Sequence, residues 1–311
     1  MYQLVIVVPC YNEEAVLEET NRRLLVLAEK LESIEVATHI LYVDDGSADA
    51  TWRLISDFSE KTPVVQGLKL AHNEGHQHAL WAGLDKAVKT ADVVVSIDAD
   101  LQDSVDAIVE MVEQHRGGCD IVFGVRRKRD TDSFFKRVSA QMFYRLMQSL
   151  GAEVVYNHAD FRLMSRRAVK ALLQYSERNL FIRGIVKTLG YRQGYVYYDR
   201  TERMAGESKY PLGKMLAFAW DGITSFSVRP LRLIMGVGLF CIFISFVAIV
   251  WALVTYLQHR ALPGWTSMLV SVWFLGGAVL TALGVIGEYV GKIYSEVKRR
   301  PRYIVEEEVG F

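Results

Sequence analysis

Two long stretches without a formal charge constrain this chain more than any other feature: residues 233–258 and 261–287 contain no Asp, Glu, Lys or Arg. As helices rising about 1.5 Å per residue, each reaches roughly 40 Å, enough to cross a hydrocarbon core of about 30 Å. Buried core helices are the alternative, but two such runs joined by the short HRALPGW turn leave no further chain to bury them. The expectation is a transmembrane hairpin over residues 231–291, set in the cell membrane. The connection carries Arg260, whereas Arg229 and Arg232 precede the first run and Lys292, Lys298, Arg299, Arg300 and Arg302 follow the second. The positive-inside rule then puts both termini in the cytoplasm, with residues 292–311 as a basic tail. Gly284, Gly287 and Gly291 line one side of the second helix, which permits close helix contact and leaves a homo-oligomer open.

The first two thirds of the chain read differently. Val- and Ile-rich runs at residues 4–8, 39–45, 93–100 and 120–124 alternate with helix-like stretches at residues 14–31, 50–59, 77–89 and 105–116. Continuous rather than alternating apolar strands argue for a parallel sheet covered by helices on both faces, the α/β class. Ligands bind such sheets outside the carboxyl ends of the strands. Residues 133–150 and 212–226 repeat apolar positions at helical spacing between basic residues. They are either core-facing helices or helices lying in the lipid interface, and nearness to the apolar runs favours the interface for the second, drawn as an amphipathic helix over residues 211–230. The start of the chain has no basic segment followed by an apolar core and a small-residue cleavage site, so this part is expected in the cytoplasm. Net charge is zero and no long basic block occurs, which points away from nucleic acid as a partner. Cys10, Cys119 and Cys241 have no CxxC spacing and read as reduced packing residues.

The acidic residues gather where a ligand would be. Asp44 and Asp45 end one strand, and Asp98 and Asp100 end another. Hard oxygen donors spaced as in DADLQD (residues 98–103) suit Mg²⁺ or Mn²⁺ bound together with a diphosphate, although paired carboxylates are also ordinary turn residues. In VDDGSADAT (residues 43–51) a carboxylate can accept from a nucleobase N–H or a ribose hydroxyl, while Gly46 lets the backbone turn beside it. Ser47 and Asp49 can cap the following helix at the same time. No GxGxxG or GxxxxGK[ST] run is present, so dinucleotide and P-loop chemistry are not expected, and metal and basic side chains must meet any phosphate.

PCYNEE (residues 9–14), DDGSADAT, NEGHQHALWAGLDKA (residues 73–87) and DADLQD together resemble the inverting family 2 glycosyltransferases of GT-A fold. ADFRLMSR (159–166), ERNLFIRG (177–184), RMAGESKY (203–210) and GEYVGKIYSEVKRRPRY (287–303) narrow the resemblance to polyprenyl-phosphate glycosyltransferases, closest to bactoprenol glucosyltransferases and more distantly to dolichol-phosphate mannose synthase. The resemblance covers nearly the whole chain. It implies a GT-A catalytic domain over residues 1–210 with a mostly parallel, Rossmann-like sheet, followed by the interface helix and two transmembrane helices. It implies that Pro9, Tyr11, Glu13, Asp44 and Asp45 line the nucleotide-sugar pocket, Asp45 pairing with uracil. Asp98, Asp100 and Gln102 would bind the diphosphate and its Mg²⁺ or Mn²⁺. Asp160 and Arg162 would sit at the reaction centre beside Asp100. Arg203, Ser208 and Lys209 would grip the acceptor phosphate; Arg126 and Arg127 are either further phosphate contacts or a solvated basic turn.

The expected reaction moves a sugar, glucose by the resemblance, from a UDP-sugar to undecaprenyl phosphate at the bilayer. A phosphate monoester is largely ionised at neutral pH, so Asp160 has an orienting role open to it rather than that of a base. A processive polysaccharide synthase shares the early motifs, but its QxxRW sequence is missing: none of the six tryptophans follows an arginine. An N-acetylhexosamine, mannose or an aminoarabinose derivative would use the same scaffold in place of glucose. A sensor or scaffold without activity is a further alternative, and the complete acidic set counts against it.

Overall fold

The computed structural model describes residues 2–100, 102–127, 158–177, 180, 182–199, 229–257 and 264–311. The expected helices at 133–150 and 212–226, the RMAGESKY loop with Arg203, Ser208 and Lys209, and the turn with Arg260 lie outside these residues. The described residues fall into two compact units: those before residue 200 together with Arg300–Phe311, and the long apolar helices.

The first unit is built on one eight-stranded sheet. Its strands are β1 (Tyr2–Cys10), β2 (Val36–Asp44), β3 (Val65–Leu70), β4 (Val93–Ser96), β5 (Ile121–Arg126), β6 (His158–Ser165), β7 (Gln193–Tyr198) and β8 (Val305–Val309), in the spatial order β7-β5-β6-β4-β1-β2-β3-β8. Helices α1 (Leu17–Glu32), α2 (Thr51–Lys61), α3 (His76–Ala87), α4 (Ala107–Arg116), α5 (Arg166–Leu173) and α6 (Ile182–Thr188) connect them. β1 is central and parallel to both β2 and β4. Both of its faces are covered, which explains its continuous apolar run. Leu4, Ile6 and Val8 cluster with Leu17, Leu24, Leu27 and Leu31 of α1 and with Ile108 and Met111 of α4. Val7, on the opposite face, meets α3, and Gly83 allows the approach: a Cβ there would stand 2.3 Å from Val7 Cγ1 and 2.9 Å from Val43 Cγ2.

The sheet is mostly parallel, as expected, with two antiparallel strands. β6 runs antiparallel between β4 and β5, and β8 runs antiparallel along β3. β6 escapes a hydrophobicity reading because Asp160 and Arg162 interrupt it; the two side chains pair with each other, and the remaining partners of Asp160, Arg183 and Gln77, are distant in sequence. Residues 292–311 are likewise no free basic tail. Residues 292–297 continue the preceding helix, and VEEEV of β8 joins the sheet, its glutamates meeting Lys69, Trp52 and Lys86.

The second unit contains α7 (Arg229–Leu257) and α8 (Trp265–Val297). α7 exposes Met235, Leu239, Phe240, Phe243 and Phe246, each more than 60 % accessible. Water does not favour so large an apolar surface on a single helix. Within α8, Phe274–Val297 is long and apolar enough to cross a membrane, the one such window among the described residues.

Candidate active site

Parallel pairing of β1 with β2 sets Cys10 beside Asp44, so the loops leaving both strands share one end of the sheet. They are laced together. Asn12, held at φ 54°, donates its amide to Ser47 Oγ and accepts the Ala48 amide on its side chain, both at 2.9 Å. Glu13 N–H reaches Thr51 Oγ1 at 2.9 Å, and Glu14 Oε2 accepts the Ala50 amide at 2.9 Å. Asp49 accepts from Thr51 N at 3.0 Å and Glu14 N at 3.2 Å, so the start of α2 is capped from two loops at once. Pro9 is buried in β1, Tyr11 is 49 % exposed, and Glu13 is half-buried.

The adjacent aspartates do different things. Asp45 accepts the Glu74 and Gly75 amides at 2.8 and 2.9 Å, fixing the loop that leads into α3. Gly46 completes this contact: it sits at φ +67°, and a Cβ would lie 2.6 Å from the His72 carbonyl carbon. Asp44 is fully buried, accepts Ser47 N at 3.4 Å on Oδ2, and has no hydrogen bond from the described residues on Oδ1. Burial raises both carboxyls. Of the two, Asp44 therefore keeps the unpaired oxygen, while Asp45 is already engaged by backbone.

DADLQD follows β4. Asp100 Oδ1 accepts the Gln102 amide at 3.2 Å, which closes the turn. Burial, helped by Asp160, Asp103 and Asp100 and opposed by His76, pushes the Asp98 carboxyl up to about 6. Such a rise reports chiefly the loss of water around the carboxylate, with the neighbouring acids adding to it. Asp98 and Asp100 are hard oxygen donors, and no group of three or more His, Cys, Asp and Glu among the described residues could hold a metal alone. That donor set fits Mg²⁺ or Mn²⁺ only where a ligand such as a diphosphate supplies the remaining oxygens.

Asp103, the last residue of the motif, serves another purpose. Its Oδ1 accepts Arg126 Nη2 at 2.9 Å, Arg126 Nε at 3.1 Å and the Tyr198 hydroxyl. Burial opposes the Arg126 charge, but Asp103 and Tyr198 outweigh it and strengthen the cation. Arg126 is thus braced beside the acidic loop, whereas Arg127 is well exposed and pairs loosely with Asp199 at 3.7 Å.

Asp160 is the hub of the site. β6 carries it next to β4, where the Ser96 hydroxyl donates to its carbonyl oxygen. Its carboxylate binds the fully buried Arg162, takes Arg183 Nε and Nη2 at 3.1 and 2.8 Å, and takes Gln77 Nε2 at 3.3 Å. His76 Nε2 stands 3.5 Å from Asp160 and 3.6 Å from Asp98, joining the two acids. Burial alone would raise Asp160, but His76, Arg162 and Arg183 win and hold it well below the usual carboxylate range. His76 follows the same logic with opposite sign: burial lowers it, and the two carboxylates raise it overall. A carboxylate so stabilised is a charge anchor and a very weak base. Asp98 and Asp160 of the expected set therefore meet through His76, which the sequence reading, like Gln77 and Arg183, left without a role. Their signal was the HQ pair after Gly75 and the arginine of ERNLFIRG.

The strand-end carboxylates, the absence of a glycine-rich phosphate loop and the cationic hub suit transfer from a nucleotide diphosphate donor. Residues 5–173 match the model for glycosyl transferase family 2. The chain is 52 % identical to the uncharacterized glycosyltransferase YkoT of Bacillus subtilis (strain 168), over 97 % of this chain and 91 % of that protein. It is 40 % identical to the bactoprenol glucosyl transferase of Shigella phage SfX, over 98 % of this chain and 99 % of that protein. The prophage bactoprenol glucosyl transferase homolog of Escherichia coli (strain K12) is 39 % identical over 98 % of both chains. On this agreement of α/β fold, acidic strand ends and full-length similarity, the chain belongs to glycosyl transferase family 2.

Proposed function

We propose that the protein transfers glucose from UDP-glucose to undecaprenyl phosphate at the cytoplasmic face of the cell membrane, with inversion at the anomeric carbon. The observation that carries this reading is the pairing, in one chain, of the Asp98 and Asp100 carboxylates at a strand end with helices whose apolar side chains stay exposed. Full-length similarity to the bactoprenol glucosyl transferases supports the lipid acceptor and extends through both helices. In this reading α7 and α8 both cross the bilayer, with the chain termini in the cytoplasm.

Asp44 and Asp45, at the end of β2, line the nucleoside pocket with Pro9, Tyr11 and Glu13, Asp45 being the partner for uracil. Asp98 and Asp100, with Gln102 beside them, would hold Mg²⁺ or Mn²⁺, whose charge offsets that building on the departing diphosphate. The acceptor oxygen needs no strong base, because a phosphate monoester with a second pKa of about 6 is already largely ionised at neutral pH. This matches the weak basicity of Asp160, whose work is to hold Arg162 and Arg183. Arg183, about one third exposed, and His76 are the cations of the hub open to a phosphate, whereas Arg162 is fully buried. Arg203, Ser208 and Lys209 add donors for the acceptor phosphate.

The test is a panel of radiolabelled UDP-sugars, with purified protein, undecaprenyl phosphate and Mg²⁺ or Mn²⁺, read as label in the organic phase. UDP-glucose is expected to give the fastest transfer. A faster N-acetylhexosamine or other hexose donor would reassign the sugar, and label passing only to a water-soluble acceptor would remove the lipid assignment.

A further inference from the structure

The end of the chain does more than close a sheet edge. β8 is held by its pairing with β3, by Trp52 Nε1 donating to Glu307 at 2.9 Å, and by the Lys69–Glu306 pair at 2.9 Å. Lys86 binds Glu308 and lies 3.8 Å over the Phe311 ring. Just before the strand, the contacts change character and turn toward the site. The Tyr303 hydroxyl donates to Asp85 Oδ2 at 2.7 Å. The Arg302 guanidinium lies 4.1 Å over the Trp81 ring, and its Nη2 donates to the carbonyls of Tyr175 and Glu177, the latter at 2.8 Å.

These partners belong to the two segments that build the Asp160 hub. Trp81 and Asp85 are on α3, whose first turn supplies His76 and Gln77. Tyr175 and Glu177 follow α5, ahead of α6 with Ile182 and Arg183. Gln77 already bridges these segments, accepting Ile182 N at 3.1 Å and donating to Asp160. Arg302 bridges them a second time, about one helical turn further along α3.

We propose that Arg302 is a positioning residue for transfer: it locks α3 to the segment ahead of α6, so that Gln77, His76 and Arg183 converge on Asp160. This rests on the function proposed above. The physical warrant is preorganisation, since a displacement of about 1 Å in a positioned group can lower a rate ~10²-fold without removing any reacting group. A sheet-edge role alone predicts something else, namely that the strand, not Arg302, is what matters.

The experiment uses the full chain in lipid nanodiscs and three variants: Arg302→Ala, Arg302→Lys and a chain ending after Ile304, which lacks β8 but keeps Arg302. Transfer from UDP-glucose to undecaprenyl phosphate, UDP affinity with Mg²⁺, Tm and amide hydrogen exchange are read for each. Arg302→Ala is expected to lower kcat about 10-fold to 100-fold, with UDP affinity within about twofold and faster exchange over residues 76–81 and 182–188. Arg302→Lys, which keeps a cation over Trp81 and donors for the carbonyls, recovers most of the rate. The shortened chain loses more Tm than Arg302→Ala but less kcat. Unchanged kcat and exchange in Arg302→Ala, or kcat following Tm across all three variants, overturns the proposal. If the wild-type protein transfers no glucose, the functional reading fails, and the exchange data still decide whether Arg302 orders the hub.

Discussion

At the scale of single residues, charge compensation decides which acids do what. Asp160 and Arg162 are both buried, and removing one partner of such a pair costs about 3–5 kcal/mol by stranding the other. Asp160→Asn is therefore expected to lower Tm and abolish transfer together. Asp100→Asn, at a half-buried turn, should abolish transfer with Tm close to wild type; thermal unfolding beside the activity assay separates the two. Asp120 offers a pH test away from the site. Arg167 binds its carboxylate and holds it below the usual range, with Ser165 Oγ donating at 2.9 Å. With a folded pKa below the unfolded value of about 3.9, this group adds stability above that pH, which is lost as pH falls through the folded value. The Tm deficit of Asp120→Asn should accordingly be present at neutral pH and shrink under acid. The acidic pairs were legible in the sequence because they end apolar runs. Of the hub, Asp160 and Arg162 came from the family resemblance, but their partners His76, Gln77 and Arg183 did not show: Gln77 and Asp160 are 83 residues apart, and the antiparallel β6 brings them together.

At the scale of elements, continuous apolar runs announced β1, β2, β4 and β5, and helical periodicity announced α1 to α4. β3, with its alternating VQGLKL, and the two antiparallel strands lacked that signal. Consecutive glutamates in β8 have poor strand propensity, and tertiary cations override it. Packing of α3 on β1 hinges on Gly83. Alanine is the better helix former by about 1 kcal/mol, yet its methyl group would overlap Val7, and overpacking costs about 1–3 kcal/mol. Gly83→Ala is expected to lower Tm, measured by thermal unfolding in nanodiscs; an increase would mean that α3 can shift away from β1 freely.

At the scale of the molecule, the chain joins an α/β transferase unit to long helices with exposed apolar faces, then returns to the first unit to complete its sheet. The division between a charged, strand-and-helix part and an apolar part was plain from composition. The return was not, since nothing in PRYIVEEEVGF names its partner strand. The whole chain is read as directing transfer to a lipid phosphate through the DAD carboxylates. The most direct measurement of this is label moved from UDP-glucose into organic-extractable lipid by purified wild-type protein and by Asp100→Asn, with undecaprenyl phosphate supplied. Transfer is expected to depend on the lipid and to fall about 10²-fold or more in the variant. Equal rates in the two proteins, or transfer that ignores the lipid, would contradict this reading.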